Sequence, residues 1–156
     1  IALDKYKEGG NSKYGNGIIT TNEYKAMFIP HGKKRLLYEI ELAKNTFLLF
    51  FHFSLSARTR KKQLQYISEY IRQGQKEENR FILAGDFNIF KGLDELSQIL
   101  TETKMVCGGS APTYPSVKPK LPLDLFLIDG GIEIVRCEVL NESVSDHLPV
   151  LLEVKL

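Results

Sequence analysis

Tryptophan is absent from this 156-residue sequence, and cysteine and methionine occur twice each. Two cysteines, Cys107 and Cys137, are too few and too far apart for a disulfide framework or a Cys-type zinc site, and they read as small apolar packing residues. The longest apolar run, TFLLFFHFSL at 46–55, is far too short to span a bilayer and contains His52, so the sequence holds no transmembrane segment. Neither sign of charge dominates. Against 19 acidic residues stand 21 basic ones, a net of +2, so global charge does not argue for nucleic acid or an anionic membrane, and any anion recognition must be local. Nor do basic and aromatic residues interleave as a nucleic-acid stacking platform would require. The opening IALDKY lacks both an initiating methionine and the charged, apolar and small-residue order of a signal peptide. The compartment therefore stays open, with the balance toward the cytoplasm.

What is present is an ordinary globular composition, 43% hydrophobic and 26% charged, in a length that suits a single domain over 1–156. No internal repeat or low-complexity segment appears. The Gly-rich KEGGNSKYGNG reads as a loop feeding a short strand IITT. Two further strand-like runs, YKAMFI and LLYEIEL, are joined by PHGKKR, so the chain opens as an antiparallel meander. TFLLFFHF is almost uniformly apolar, as a strand covered on both faces is. From Lys61 the period becomes helical, with Leu64, Ile67 and Ile71 on one stripe and Gly74 as a stop. A buried strand RFILAGDFN follows. Next comes a shorter helix with Leu93, Leu96, Ile99 and Leu100 on one side, then a loop over 108–122 and three strands, DLFLID, IEIVRCEVL and PVLLEV. This mixture predicts an α/β sandwich with helices on the outer faces of sheets.

Buried-looking strands end or begin at unusual polar groups: His52, Asp86 with Asn88, Asp124, and Asp146 with His147. Ligand sites gather at such strand ends in layered α/β folds. A phosphate ester needs a hard divalent ion, an oriented water and donors for its oxygens. Asp86 and Asp146 can hold an ion or a water, and Asn88 offers an amide. His147 titrates near neutrality and can serve as base or donor, with Asp124 fixing its tautomer. Taken alone, GDFN also reads as a turn, with Gly85 and Asn88 in special backbone conformations and Asp86 capping. SDH alone reads as an Asx or capping turn.

Together the stretches GNGIIT, HFSLSARTRKKQL, LAGDFN, TYPSVKPKLPLDLFLI and SDHLPVLLEV resemble, in order, those of the endonuclease/exonuclease/phosphatase superfamily of deoxyribonuclease I-like phosphoesterases. The resemblance runs from about Gly15 to the C terminus. It implies an α/β fold, a four-layer α/β/β/α sandwich, and a divalent-metal-dependent hydrolase of phosphoesters using Mg²⁺ or Mn²⁺. It implies catalytic roles for His52, Asp86, Asn88, Asp124 and His147, with Asp86 activating water and Asp124 holding His147. Asp146, Asp86 and Asn88 are implied on the metal side.

One departure stands out. The family's early strand with an Asn, and its Gln-Glu pair whose Glu is the principal magnesium ligand, have no counterpart here. Glu23, Glu39 and Glu41 lie in the meander, in the wrong context. The N-terminal strands are thus expected to be missing, to be completed by another segment or a second chain, and apolar surface is expected to be exposed. The partner is expected to be a phosphoester, either nucleic acid or a small phosphorylated molecule, with KPK at 118–120 and Arg58, Arg60, Lys61 and Lys62 as a basic rim. The competing expectation is an inactive module of the same fold that binds phosphate or a partner.

Overall fold

The computed structural model describes residues 2–5, 15–32 and 35–156. The Gly-rich stretch and the cationic centre of PHGKKR fall largely outside them. Strands β1 (Ala2–Lys5) and β2 (Gly15–Ile18) form an antiparallel pair. The expected strand IITT is therefore displaced upstream. Ile18 packs on Leu36, Tyr38 and Ile40, while Ile19 stands in solvent.

The expected meander forms only in part: YKAMFI and LLYEIEL pair, but the strand before them pairs with β1 in a separate two-stranded sheet, and TFLLFFH takes the third place. Strands β3 (Tyr24–Ile29), β4 (Arg35–Ala43) and β5 (Thr46–His52) pair antiparallel. Helix α1 (Ala57–Lys76) then crosses over to β6 (Arg80–Asp86), which lies parallel to β5. A 3₁₀ turn, Leu93–Leu96, leads into α2 (Ser97–Thr103) and the short β7 (Val106–Cys107). Strand β8 (Asp124–Ile128) inserts antiparallel between β6 and β7, giving one sheet of order β3-β4-β5-β6-β8-β7. The chain closes with the antiparallel pair β9 (Glu133–Val139) and β10 (Val150–Lys155).

Both helices depart from the sequence periodicity for local reasons. Helix α1 begins at Ala57 because the Ser56 hydroxyl accepts the Thr59 N–H, a cap that precedes the apolar stripe. It runs through Gly74, which is not a stop. A side chain there would meet the Phe81 ring at 2.4 Å, so Gly74 lets helix and strand approach. In the second helical segment Leu93 faces outward, while Leu96 and Ile99 are buried.

Alternation along the strands sorts the core into two faces. Leu37, Leu49, Phe51, Phe81, Leu83, Leu125 and Leu127 meet Leu64, Ile67 and Ile71 of α1 and Ile99 of α2. Burying the three α1 residues contributes on the order of 5 kcal/mol, which is what keeps the helix on the sheet. On the other face, Leu48, Ile82, Phe126 and Ile128 meet Leu152 and Val154 of β10, and Leu36, Tyr38 and Ile40 meet Ile18. The described residues thus stack as helices, a six-stranded sheet and two small two-stranded sheets. A second helical layer, required for the expected four-layer sandwich, is not among them. Apolar side chains do stay exposed at Ile19, Val135 and Leu151.

Gly85 sets how closely β5 and β6 approach. Its φ is +143°, and a Cβ there would lie 1.9 Å from the Phe51 carbonyl oxygen, which is backbone and cannot move aside. Gly85→Ala is expected to cost roughly 3 kcal/mol or more of unfolding free energy. Urea denaturation measures it, and a loss below about 0.5 kcal/mol would refute the close approach.

Candidate active site

Two registers build the site. His52 of β5 is directly opposite Asp86 of β6 in the parallel ladder, and Asp86 is directly opposite Asp124 of β8 in the antiparallel one. His52, Asp86 and Asp124 therefore form one row across the end of the sheet. Since Phe51, Leu83 and Leu125 face the helices, the same alternation turns these three toward the face shared with β9 and β10. His52 Nε2 lies 3.4 Å from Asp86 Oδ2.

The turn after Asp86 aims the row. Asn88 adopts φ 52°, and its N–H donates to Asp86 Oδ1 at 2.9 Å, an Asx-type bond. The Asn88 side chain, nearly fully buried, donates from Nδ2 to the Phe53 carbonyl at 3.0 Å. Phe53 N–H in turn donates to the Asp86 carbonyl at 2.9 Å. GDFN is thus the structural turn that its residues suggest. The same bonds orient Asp86 beside His52.

His147 reaches the row from the loop before β10. Its Nδ1 lies 2.6 Å from Asp124 Oδ2. With Asp124 ionised, Nδ1 carries the proton and Nε2 on the far side of the ring is left for chemistry. Burial of the ring opposes its protonation. The hydrogen bond and charge of Asp124, with Asp86 and Asp146 at longer range, outweigh that burial and hold the imidazole above its ordinary value.

Three residues to which the sequence reading assigned no role complete this arrangement. The Thr113 hydroxyl donates to Asp124 Oδ2 at 2.6 Å and accepts from the Leu123 and Asp124 N–H groups, both at 3.3 Å. The Tyr114 ring lies against His147, with centroids 4.8 Å apart. Ser116 donates its N–H to the Asp146 carbonyl at 2.8 Å and its hydroxyl to the Ser145 carbonyl at 2.6 Å. The loop at 113–116 therefore fixes the loop carrying Asp146 and His147. TYPS was legible only as a motif, because these contacts lie 10 to 33 residues apart in the chain and follow no helical or strand period.

Asp146 is exposed, and its Oδ1 accepts the Ser145 hydroxyl at 3.0 Å. Carboxylate and amide oxygens of Asp86, Asn88 and Asp146 are the donors that hard divalent ions prefer. Among the described residues, however, no three His, Cys, Asp or Glu side chains gather to hold a metal ion. These residues do not by themselves complete a coordination sphere. No meander glutamate described substitutes for the expected one at this row: Glu39 is buried on the helix face, bonded to the Tyr70 hydroxyl and to Lys25 Nζ. The basic rim also needs correction. Arg58, Lys61, Lys62, Lys118 and Lys120 are exposed, but Arg60 is buried and paired with Glu95, so it offers no surface charge.

The Asp124–His147 pair has a definite pH signature. A histidine held above its ordinary pKa stabilises the fold fully below the unfolded value near 6.5, and that stabilisation is lost as pH rises through the folded value. Asp124→Asn should lower the His147 pKa in an NMR titration and destabilise the protein more at about pH 6 than at about pH 9. An unmoved titration would show that Asp124 does not hold the ring.

Comparison with known proteins places the fold. In structure the chain is similar to a mannosyl-6-phosphatase of Bacteroides thetaiotaomicron, with TM-score 0.71 and 14% identity over 86% of this chain and 66% of that one. It is similar also to an endonuclease/exonuclease/phosphatase from Bacteroides vulgatus (TM-score 0.67, 16% identity, 86% and 65%) and to truncated Caenorhabditis elegans TDP2 (0.61, 15%, 82% and 63%). At such identities the likeness is one of fold, the deoxyribonuclease I-like α/β type. The chain spans about two thirds of the length of these structures. No curated protein matches it in sequence. The family model does match, over residues 4–147, and with it the chain belongs to the Endonuclease/Exonuclease/phosphatase family.

Proposed function

We propose that this protein hydrolyses phosphoesters, with His52, Asp86, Asn88, Asp124, Asp146 and His147 forming its site. The observation that carries the reading is the held imidazole: Nδ1 of His147 on Asp124, Asp124 on Thr113, and two further carboxylates near enough to favour the charged ring. An imidazolium oriented through Nδ1, with its Nε2 proton free to be given, beside a carboxylate is an acid and base pair suited to phosphoryl transfer to water. Family membership supports the same class, since nucleases and phosphatases both cleave ester bonds to phosphorus.

In the proposed reaction Asp86, held by Asn88 N–H and paired with His52, orients a water and takes its proton as the water oxygen bonds to phosphorus. The bond to the leaving oxygen breaks, and that oxygen takes the Nε2 proton of His147. Asp124 keeps the ring oriented throughout and stabilises its charged form. Mg²⁺ or Mn²⁺ belongs to the proposal: Asp86, Asn88 and Asp146 would offer it oxygen, further ligands would have to come from beyond this set, and the ion would supply neutralisation of phosphate charge. The substrate is nucleic acid or a small phosphorylated molecule. Exposed Arg58, Lys61, Lys62, Lys118 and Lys120 supply positive surface charge for an anionic partner of either kind.

A second reading has one observation in its favour. Because the described residues do not close a metal site, the same cleft suits a module that binds phosphate or a partner without turnover.

Hydrolysis of a generic phosphodiester and a phosphomonoester by the complete protein, with Mg²⁺ or Mn²⁺ and with chelator, separates the two. Chelator-sensitive cleavage is expected. Asp86→Ala and His147→Ala should each lower turnover by on the order of 10²–10⁴-fold with the fold intact. Turnover indifferent to both substitutions, or phosphate binding without cleavage, would overturn the hydrolase in favour of the binding module.

A further inference from the structure

Of the three polar side chains that α1 buries, Arg60, Gln63 and Ser68, the first two bond the chain that follows His52. Arg60 is 1% exposed and Gln63 is fully buried. Arg60 donates from Nε to Glu95 Oε2 at 3.1 Å, with Nη2 on the same oxygen, and from Nη1 to the carbonyls of Ser54 and Leu55 at 3.0 and 3.1 Å. The other oxygen of Glu95 accepts the Lys91 N–H at 2.9 Å. Gln63 accepts the Ser54 N–H at 2.9 Å and donates to the His31 carbonyl at 3.1 Å.

These bonds converge on one short segment. Residues 53–55 leave the sheet just after His52, and residues 91–95 follow just after Asn88. In the first segment Phe53 N–H is held by Asp86, Phe53 C=O by Asn88, Ser54 N–H by Gln63, and the carbonyls of Ser54 and Leu55 by Arg60. In the second, Glu95 ties Lys91 to the same guanidinium. A planar fork with several fixed donors can serve a carboxylate and two carbonyls at once, and an ammonium cannot.

We propose that Arg60 and Gln63 are positioning residues: Arg60 clamps the segment that follows His52 to the segment that follows Asn88, Gln63 ties the same segment to the turn at His31, and together they hold His52 opposite Asp86. The catalytic meaning of the clamp rests on the phosphoester reading, whereas its geometric content does not.

The test must separate positioning from mere support of the fold. Breaking one member of a buried ion pair strands the other, but replacing both by apolar residues of similar size often preserves stability. Arg60→Met/Glu95→Leu therefore removes the carbonyl bonds while sparing the fold. Native-state amide exchange in this variant should be at least about tenfold faster at Phe53 and Asn88, with Leu83 in the middle of β6 unchanged, and the His52 ring signals should shift. Arg60→Lys should show the same loss rather than rescue it. A double variant as stable as the unmodified protein, with exchange at Phe53 and Asn88 unchanged, would overturn the proposal. If the double variant does not fold, Gln63→Met decides the matter on the same amides: about tenfold faster exchange at Phe53 supports the clamp and unchanged exchange refutes it. In the complete protein the folded variants should lower kcat by about tenfold or more with KM within about twofold. Should the unmodified protein hydrolyse neither ester, the phosphoester reading fails, and amide exchange still decides the clamp.

Discussion

The pairing of β6 with its two neighbours is the constraint on which the site depends. One ladder is parallel and one antiparallel, and both place a polar residue opposite Asp86, His52 on one side and Asp124 on the other. Since side chains alternate strictly, a slip of one residue in either ladder would send its polar partner to the helix face, among Phe51, Leu83 and Leu125. The apolar core thereby specifies the site. Burial of the odd-numbered positions on these strands against α1 and α2 holds the even-numbered ones at the opposite face.

The same economy governs the turn at 85–88. Gly85 admits the Phe51 carbonyl, Asn88 takes a left-handed conformation, and Asp86 accepts the Asn88 N–H. Each feature is a local backbone solution, and each also orients the Asp86 carboxylate. Asp86 spends one oxygen on the turn and presents the other to His52. A carboxylate fixed in this way loses little further freedom when it meets a substrate, which is the physical content of preorganisation.

Around this row the polar groups are arranged in depth. Thr113 holds Asp124, Asp124 holds His147, and Ser116 holds the backbone on which Asp146 and His147 sit. On the other side Arg60 and Gln63 engage the chain that leaves His52. Burying a guanidinium is costly unless its donors are met, and here four donor contacts are named. That makes Arg60 part of the frame and removes it from the cationic surface, where its place among Arg58, Lys61 and Lys62 had put it.

Sequence by itself determined the class of fold and the pairing of YKAMFI with LLYEIEL, and it singled out the polar groups at the strand ends, three of which the sheet brings into one row. Apolar periodicity marks strands and helices whatever surrounds them, and His52, Asp86, Asn88, Asp124, Asp146 and His147 interrupt that periodicity where burial would otherwise forbid them. Only the tertiary structure decided what depends on contacts between distant segments. Helix α1 starts at a Ser56 cap and passes through Gly74 because Phe81 lies beneath it. Thr113 reaches Asp124 only because β8 pairs with β6 and the loop folds back on Leu121. Arg60 is buried because Glu95 arrives from a turn 35 residues later in the chain. Local propensity acts over a few residues, whereas these interactions exist only once the sheet has set its register, so no reading of the chain in one dimension contains them.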